Sequence, residues 1–540
     1  MNLQTIDYSI IIGFFILSLA IGIWVSKSSG KNTKEYFLSG RNMPWWLLGV
    51  SMVATTFAAD TPGLVTELVR LDGVSGNWVW WAFLLTGMLT VVFYAKLWRK
   101  SGITTDLEFY ELRYSGKVAG FLRGFRAIYL GVIFNIITMA GVCLAGAKIA
   151  NILQGETLLY SSIIVVIYSS LGGLKGVLIT DFVQFIIAMV GSIWATIYIL
   201  DLPEIGGLTN LLTHENVIGQ LDLLPDFSNK EALITLFIIP IAVQWWSTWY
   251  PGAEPGGGGY IAQRMLAAKD EKNATWATLF FNFAHYALRP WPWILVGLAS
   301  LVIFPNLTDL NTAFPDLAVD MQGHDVAYAA MMTYLPAGLL GIVLTSLIAA
   351  FMSTISTQLN WGSSYVVNDF YGRFINPEAT ERQKVVVGKI SVVLLMLCAA
   401  LFSFYLTSAK DVFDLLLQIG AGTGLLFILR WFWDRINPYS EIAAMAISFI
   451  IAMTFFIDKK AELGLFDGLV GYEKLILDNE SKFKNVGSKI LAFVLGITGV
   501  YSFLFATGNW IYGKTNLAIG LSVLTVICVF GLQRLWKRIS

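Results

Sequence analysis

Apolar runs of membrane-spanning length recur along nearly the whole chain, and no other feature restricts the fold as strongly. Read with a window of ~17 to 25 residues, the length that crosses a hydrocarbon layer as a helix, the chain gives about fourteen spans. The first is 7–26, and ten follow at 44–70, 75–97, 126–152, 157–176, 178–201, 232–266, 278–304, 331–367, 385–407 and 412–433. Further spans trail at 439–457, 487–507 and 514–533. Only 13% of the residues are charged and 56% are hydrophobic, whereas a soluble domain carries about 25% charged residues. The expected fold is therefore an all-α polytopic membrane protein.

Composition excludes several functions. Formal net charge is zero, so no bulk field attracts nucleic acid. Cys143, Cys398 and Cys528 all fall in apolar segments and read as small hydrophobes, not as a disulfide frame. His214, His285 and His324 are too dispersed for a zinc site. The first apolar run, Tyr8 to Val25, has no basic flank before it and is long enough to span, unlike a cleaved signal.

Loop Lys and Arg give orientation. The segments 27–43, 98–125, 264–272 and 373–389 are basic, as is the stretch holding Arg430 and Arg435. They alternate as cytoplasmic under the positive-inside rule, which places the N-terminus outside. The polar loops 202–230 and 305–330 then lie outside as well. The C-terminus fits less simply. Parity over fourteen spans leaves it outside, while Arg534, Lys537 and Arg538 favour the inside. Either a segment near 461–477 dips into the membrane or the count is off by one.

The ten central spans divide into two sets of five, 44–201 and 232–433, and an odd number of spans inverts the second set relative to the first. This leaves 1–43 as a leading helix and loop, 202–231 as an external loop, and 434–540 as trailing helices. The first span of each set carries a helix-breaking stretch: Thr55 to Gly63 with Pro62, and Pro251 to Gly259. Interrupted helices at matching places in two inverted halves mark the binding site of a secondary transporter. Carbonyls freed near Ala54 to Asp60 cannot face lipid, so they line a cavity or bind something.

A second polar feature lies in 331–367, where Ser353, Thr354, Ser356 and Thr357 follow Ala349 and Ala350. Ser353 and Thr357 share a helix face, as do Ser353 and Ser356. Small residues and hydroxyls are ordinary packing material between membrane helices. They are also hard oxygen donors suited to an alkali cation, and both readings stand on this segment alone.

Five stretches carry a resemblance. They are Lys34–Arg41 (KEYFLSGR), Gly172–Gln184 (GGLKGVLITDFVQ), Ala262–Lys269 (AQRMLAAK), Ala349–Thr357 (AAFMSTIST) and Arg435–Glu441 (RINPYSE). Each is weak alone, but together and in order they make the chain similar to the sodium:solute symporter family of sodium-coupled sugar, proline and sialic acid carriers. The resemblance implies a five-plus-five inverted-repeat core with one leading and about three trailing helices. It implies sodium as the coupling ion, with no other cofactor, and no enzymatic activity. A first sodium site would comprise the carbonyls of Ala54, Phe57 and Ala350 with the hydroxyls of Ser353 and Thr354. A second, present in some relatives, would fall on Asp181, Ser353, Ser356 and Thr357. Asp181 is otherwise an acid at a helix start near water; buried in the membrane it would cost ~2.5 to 3.5 kcal/mol. Two sodium ions are expected, each contributing ~2.3 kcal/mol per 100 mV of membrane potential.

The solute site is less legible. The resemblance points to the neighbourhoods of Asp60 and Thr61, Trp78 and Trp81, Trp246, Arg289 and Gln418, although the polar residues of the sugar-carrying relatives transfer only at Gln418. The Trp side chains suit stacking on a sugar face or an interfacial belt. Arg289 suits a bidentate grip on a solute carboxylate or a structural pair with Asp60 or Glu67. The expected partners are a small organic solute, either sugar-like or a small carboxylate, sodium, and the lipid bilayer of the cell membrane. A monomer is expected. A passive channel or a sodium-coupled amino acid carrier is the alternative. A sensor would need an appended domain, and an intramembrane enzyme a catalytic cluster.

Overall fold

The computed structural model describes residues 3–153, 157–247, 254–315, 322–406, 423–457 and 486–539. These are helical throughout apart from turns and one isolated bridge between Met43 and Ala268. Nine helices among them are long and apolar enough to cross a membrane. Gln418, Trp249, Tyr250, the first residues of the Pro251–Gly259 stretch and the 461–477 segment lie outside the described residues.

The leading helix α1 (Thr5–Ser29) does more than anchor. Its buried Asp7 accepts the backbone N–H groups of Gly338 and Gly341 at 2.7 and 2.8 Å. It thereby caps α10 (Leu339–Ile375), the helix that carries the hydroxyl cluster. A Cβ on Gly341 would lie 2.6 Å from the Asp7 Cα, so glycine permits this close approach.

The span 44–70 is two helices, α2 (Trp45–Thr55) and α3 (Thr61–Asp72), separated at Thr56–Asp60 as the sequence predicts. Pro62 opens α3, where its missing N–H costs nothing. The next two spans are α4 (Val74–Ser101) and α5 (Lys117–Ala147). The predicted spans 157–176 and 178–201 are continuous as α6 (Thr157–Leu200), broken at Gly173 with φ 53° and ψ −156°. This break falls earlier than the sequence boundary because Gly172-Gly173 is embedded in an unbroken apolar run. Asp181 therefore lies two turns inside the second arm and is fully buried, instead of opening a helix at the water interface.

The second interrupted span runs as a helix over 230–242, leaves helical geometry at Val243, and resumes as α7 (Gly259–Ala267). Gly256 and Gly257, at φ +84° and +88°, lie against Tyr94 and Thr90 of α4, where side chains would collide. After α8 (Glu271–Ile303) the predicted span 331–367 begins only at α10; residues before it form a separate helix, α9 (Val326–Met332), and a turn. The described remainder comprises α11 (Glu381–Ser403), α12 (Gly424–Leu429), α13 (Pro438–Ile457), α14 (Val486–Ile511) and α15 (Thr515–Ile539). α6 and α10 pack together along their length, with Gly191 set against Ser346. The middle of α10 is thus enclosed, its residues 343–365 all buried.

Three arginines counted above as loop charge are buried and paired, two of them within helices and Arg430 in the turn after Leu429. Arg264 is fully buried inside α7, Arg430 is 1% exposed, and Arg123 ion-pairs with Asp369 and Glu111. Each has a buried carboxylate partner, which a count of loop charge does not register.

Candidate functional site

The first break and the hydroxyl helix meet. Thr354 of α10 donates its hydroxyl to the Thr55 carbonyl at 2.9 Å, at the last turn of α2. Ala54 and Phe57 flank that carbonyl and are 2% and 1% exposed, as Ala350 is 2% exposed on the facing helix. The chain turns sharply here: the Phe57 N–H reaches the Ala54 carbonyl at 3.2 Å, and the Ala58 N–H reaches the Thr61 hydroxyl at 3.1 Å.

One turn along, the oxygens gather round Asp181. Its carboxylate accepts from Ser51 at 2.5 Å and from Ser353 at 2.7 Å. Thr357 and Thr55 share a hydroxyl–hydroxyl bond of 2.9 Å, while Ser356 turns its hydroxyl back to the Ser353 carbonyl at 3.0 Å. Among these oxygens lies the Arg264 guanidinium. Its Nη2 donates to Thr357 at 2.6 Å and to Ser51 at 3.1 Å, and stands 3.7 Å from Asp181. Sequence reasoning missed it, because α7 is too short to read as buried without its partners.

Arg289 serves the same hinge from the other side. A π-turn over Ala284–Leu288 re-aims the end of that stretch. It delivers Arg289 Nη1 to the Val53 carbonyl at 3.2 Å and Nη2 to the Thr56 carbonyl at 3.0 Å. The guanidinium also stacks on Phe57 and Trp293, and His285 Nδ1 meets the Thr56 hydroxyl at 3.1 Å. Two fixed cations thus hold the carbonyl end of α2, where the helix dipole is negative.

The aromatic candidates separate. Trp78 packs on Phe237 and, toward α14, on Tyr501; the Trp81 ring lies edge-on to Trp78 and Trp80, and its backbone carbonyl accepts the Tyr501 hydroxyl. The intervening Trp80 is the one that faces the hinge, stacked on Tyr286 and edge-on to His285. Trp246 is half-buried beside Trp245 at the end of the second half-helix. Asp60 and Thr61 line the first break.

A small cavity opens where the second break meets α4 and α8. Thr86, Thr90, Thr278 and Asn282 line it with Tyr260, Tyr286 and Glu254. The Asn282 carbonyl oxygen is buried without a partner, and a Cβ on Gly87 would strike that amide. Glu254 is held from behind by Arg126 and, at 3.2 Å, by Arg430.

Interrupted helices at matching places in two halves, with oxygen donors converging at the break, define a secondary transporter of the five-plus-five inverted-repeat class. The chain matches the model of the sodium:solute symporter family over residues 36–448. It is 25% identical to a sodium/glucose cotransporter of Vibrio parahaemolyticus over 480 residues, covering 84% of this chain and 85% of that one. It is 28% identical to a sodium/myo-inositol cotransporter of Bos taurus, covering 84% and 67%. Its fold matches the solved structure of a Na+-coupled sialic acid symporter in a substrate-bound outward-open state. That match has a TM-score of 0.68 and 21% identity, covering 83% of this chain and 91% of that one. The chain belongs to the sodium:solute symporter family, a multi-pass membrane protein with sodium as its coupling ion.

Proposed function

We propose that the chain carries a small neutral polyhydroxylated solute across the cell membrane together with sodium, by alternating access of two inverted repeats, 44–201 and 232–433. The N-terminus lies outside and the working unit is a monomer. Sodium binds to the carbonyls of Ala54, Phe57 and Ala350 and the hydroxyls of Ser353 and Thr354. The bond from Thr354 to the Thr55 carbonyl carries this assignment, since it sets hydroxyls of α10 against the carbonyl end of α2. A bound ion would join the two elements that part as the transporter opens.

The lining of the cavity, which at about 40 Å³ would have to widen to admit a sugar or polyol, favours a hydroxylated solute. Its polar lining consists of threonines, an asparagine, tyrosines and one carboxylate. Glu254 would repel a carboxylate solute, and the two arginines behind it are already engaged with it. Arg289, the sequence candidate for gripping a solute carboxylate, spends its donors on hinge carbonyls. Trp78 and Trp81 stack on neighbouring rings outside this cavity, so the reading does not place them on the solute. The glucose and myo-inositol named for two relatives are solutes of the favoured kind.

Uptake into proteoliposomes tests the reading, with labelled sugars, polyols, sialic acids, amino acids and short carboxylates and with external sodium or potassium. A polyol or sugar accumulated only with sodium, and not by Ser353→Ala, is the expected result. Uptake indifferent to sodium would return the four hydroxyls to helix packing.

A further inference from the structure

Away from the hinge, an apolar groove runs between α5 and α13 and encloses about 560 Å³, room enough for an acyl chain. Its wall on α5 is a file of rings, Phe121, Phe125 and Tyr129, one turn apart on one helix face. These rings stack, with centroids 6.0 and 5.3 Å apart and planes tilted by 20° and 19°. The facing wall on α13 includes Met445 and Ala446. From Phe121 to Ile137 the groove rises ~24 Å along α5, most of the ~30 Å thickness of a hydrocarbon layer.

One end of the groove is positively charged. The Tyr114 hydroxyl donates to Glu441 at 2.5 Å, which joins the starts of α5 and α13. Lys117 lies one turn before Phe121, Arg435 lies just ahead of α13, and both are exposed. Arg113 is spent on the carbonyls of Arg430 and Trp433 and faces the exposed Asp434 at 3.9 Å. Three cations thus meet one exposed acid at this rim. The faces of α1, α11 and α15 are apolar too, but here a concave wall ends at surplus positive charge. That combination fits an amphiphile with an anionic head. α5 also carries Arg126, which pairs with Glu254 and stands 3.9 Å from Glu441 of α13. A guest in the groove braces the two helices that hold this pair.

We propose that the groove binds one anionic phospholipid of the cytoplasmic leaflet, its chain against the α5 rings and its phosphate between Lys117 and Arg435. The proposal rests on the orientation assigned above and on neither the solute nor the sodium site. Native mass spectrometry of the delipidated full chain tests it, with phosphatidylglycerol and phosphatidylcholine of identical chains as probes. The wild type is expected to hold one phosphatidylglycerol roughly tenfold or more tightly than phosphatidylcholine, from two cations at the head. Lys117→Gln combined with Arg435→Gln should erase that preference and leave phosphatidylcholine binding unchanged. Ala446→Phe fills the groove from an exposed position and should weaken binding of both lipids. On the wild type alone, phosphatidylglycerol should slow deuterium exchange of residues 117–125 and 438–446 more than phosphatidylcholine does. Equal binding of the two lipids by the wild type overturns the proposal, as does a preference that survives the double substitution. Undiminished binding by Ala446→Phe, or exchange that responds equally to both lipids, overturns it as well. The exchange comparison needs no variant, so misfolding of a substituted chain leaves the test intact.

Discussion

Arg289 and Arg264 put permanent positive charge beside the proposed sodium site, and they act on different groups. Arg289 holds main-chain carbonyls at Val53 and Thr56, neighbours of the carbonyls assigned to sodium. Its task is to keep the unwound turn open. Replacing it with Met removes donors from two buried acceptors, each costing ~1 to 3 kcal/mol when orphaned. Arg289→Met should therefore lower stability by about 2 to 6 kcal/mol and weaken sodium affinity, while the preference among solutes is kept. Thermal unfolding with and without sodium checks this, alongside competition among solutes. Altered solute preference at undiminished stability would restore Arg289 to the solute site. Neither arginine's role was legible in the sequence. Arg264 sits beside Lys269 and Lys272 and reads as loop charge, because burial of a nine-residue helix is decided by partners from distant spans. The hydroxyls at 353–357 and the break before Pro62 were legible, since both are local patterns.

At the scale of elements, the breaks are built from glycine as much as from proline. Pro62 marks the first break plainly, whereas Gly173 was hidden in an apolar run and moved the start of the Asp181 arm. In the second break, Gly257 adopts φ +88° and a Cβ there would lie 2.5 Å from Met265 Cε and 3.2 Å from Thr90 Cγ2. Gly257→Ala combines backbone strain of ~1 to 3 kcal/mol with overpacking of similar size. Its unfolding midpoint should fall further than that of Gly219→Ala, a glycine with nothing within 4 Å. Equal midpoints would mean the second break relaxes freely. The end of α3 offers a pH-dependent contact. Arg70 Nε donates to His324 Nδ1 at 3.1 Å. Burial first, then the Arg70 charge, hold the His324 imidazole below the usual histidine range, with Asp325 opposing. With a folded pKa below the unfolded value of about 6.5, the contact contributes fully above that pH and is lost as pH falls through it. Between about pH 7.5 and about pH 5.5 the wild-type midpoint should therefore drop more than that of His324→Gln. Parallel curves would show that His324 does not titrate against Arg70.

The whole molecule is joined across its halves by a buried network behind the cavity. Glu254 comes from the second break, Arg126 from α5, Arg430 follows α12, and Glu441 lies in α13. Arg430 donates to the Tyr110 hydroxyl at 2.8 Å and stands 3.6 Å from Glu441, which accepts from Tyr114 at 2.5 Å. Both guanidinium groups lie 4.7 Å from the Phe427 ring centroid. Two positive and two negative groups, each at most 3% exposed, balance without water. Glu254 alone belongs both to this network and to the lining of the cavity, so the proposed solute site and the contact between the repeats share one residue. Glu254→Gln leaves two buried guanidinium groups with one carboxylate between them, and removing one member of a buried pair costs about 3 to 5 kcal/mol. The loss should fall on the contact between repeats more than on either repeat alone. Backbone amides of α7 and of Glu108–Arg113 should then exchange with deuterium faster, while those in the middle of α10 keep their protection. Adding Arg126→Met to Glu254→Gln removes the excess charge and should recover part of the loss, a coupling that separate contributions would not produce. Unchanged exchange in α7 would mean that the second break is held by its glycine packing against α4, with Glu254 serving the solute alone.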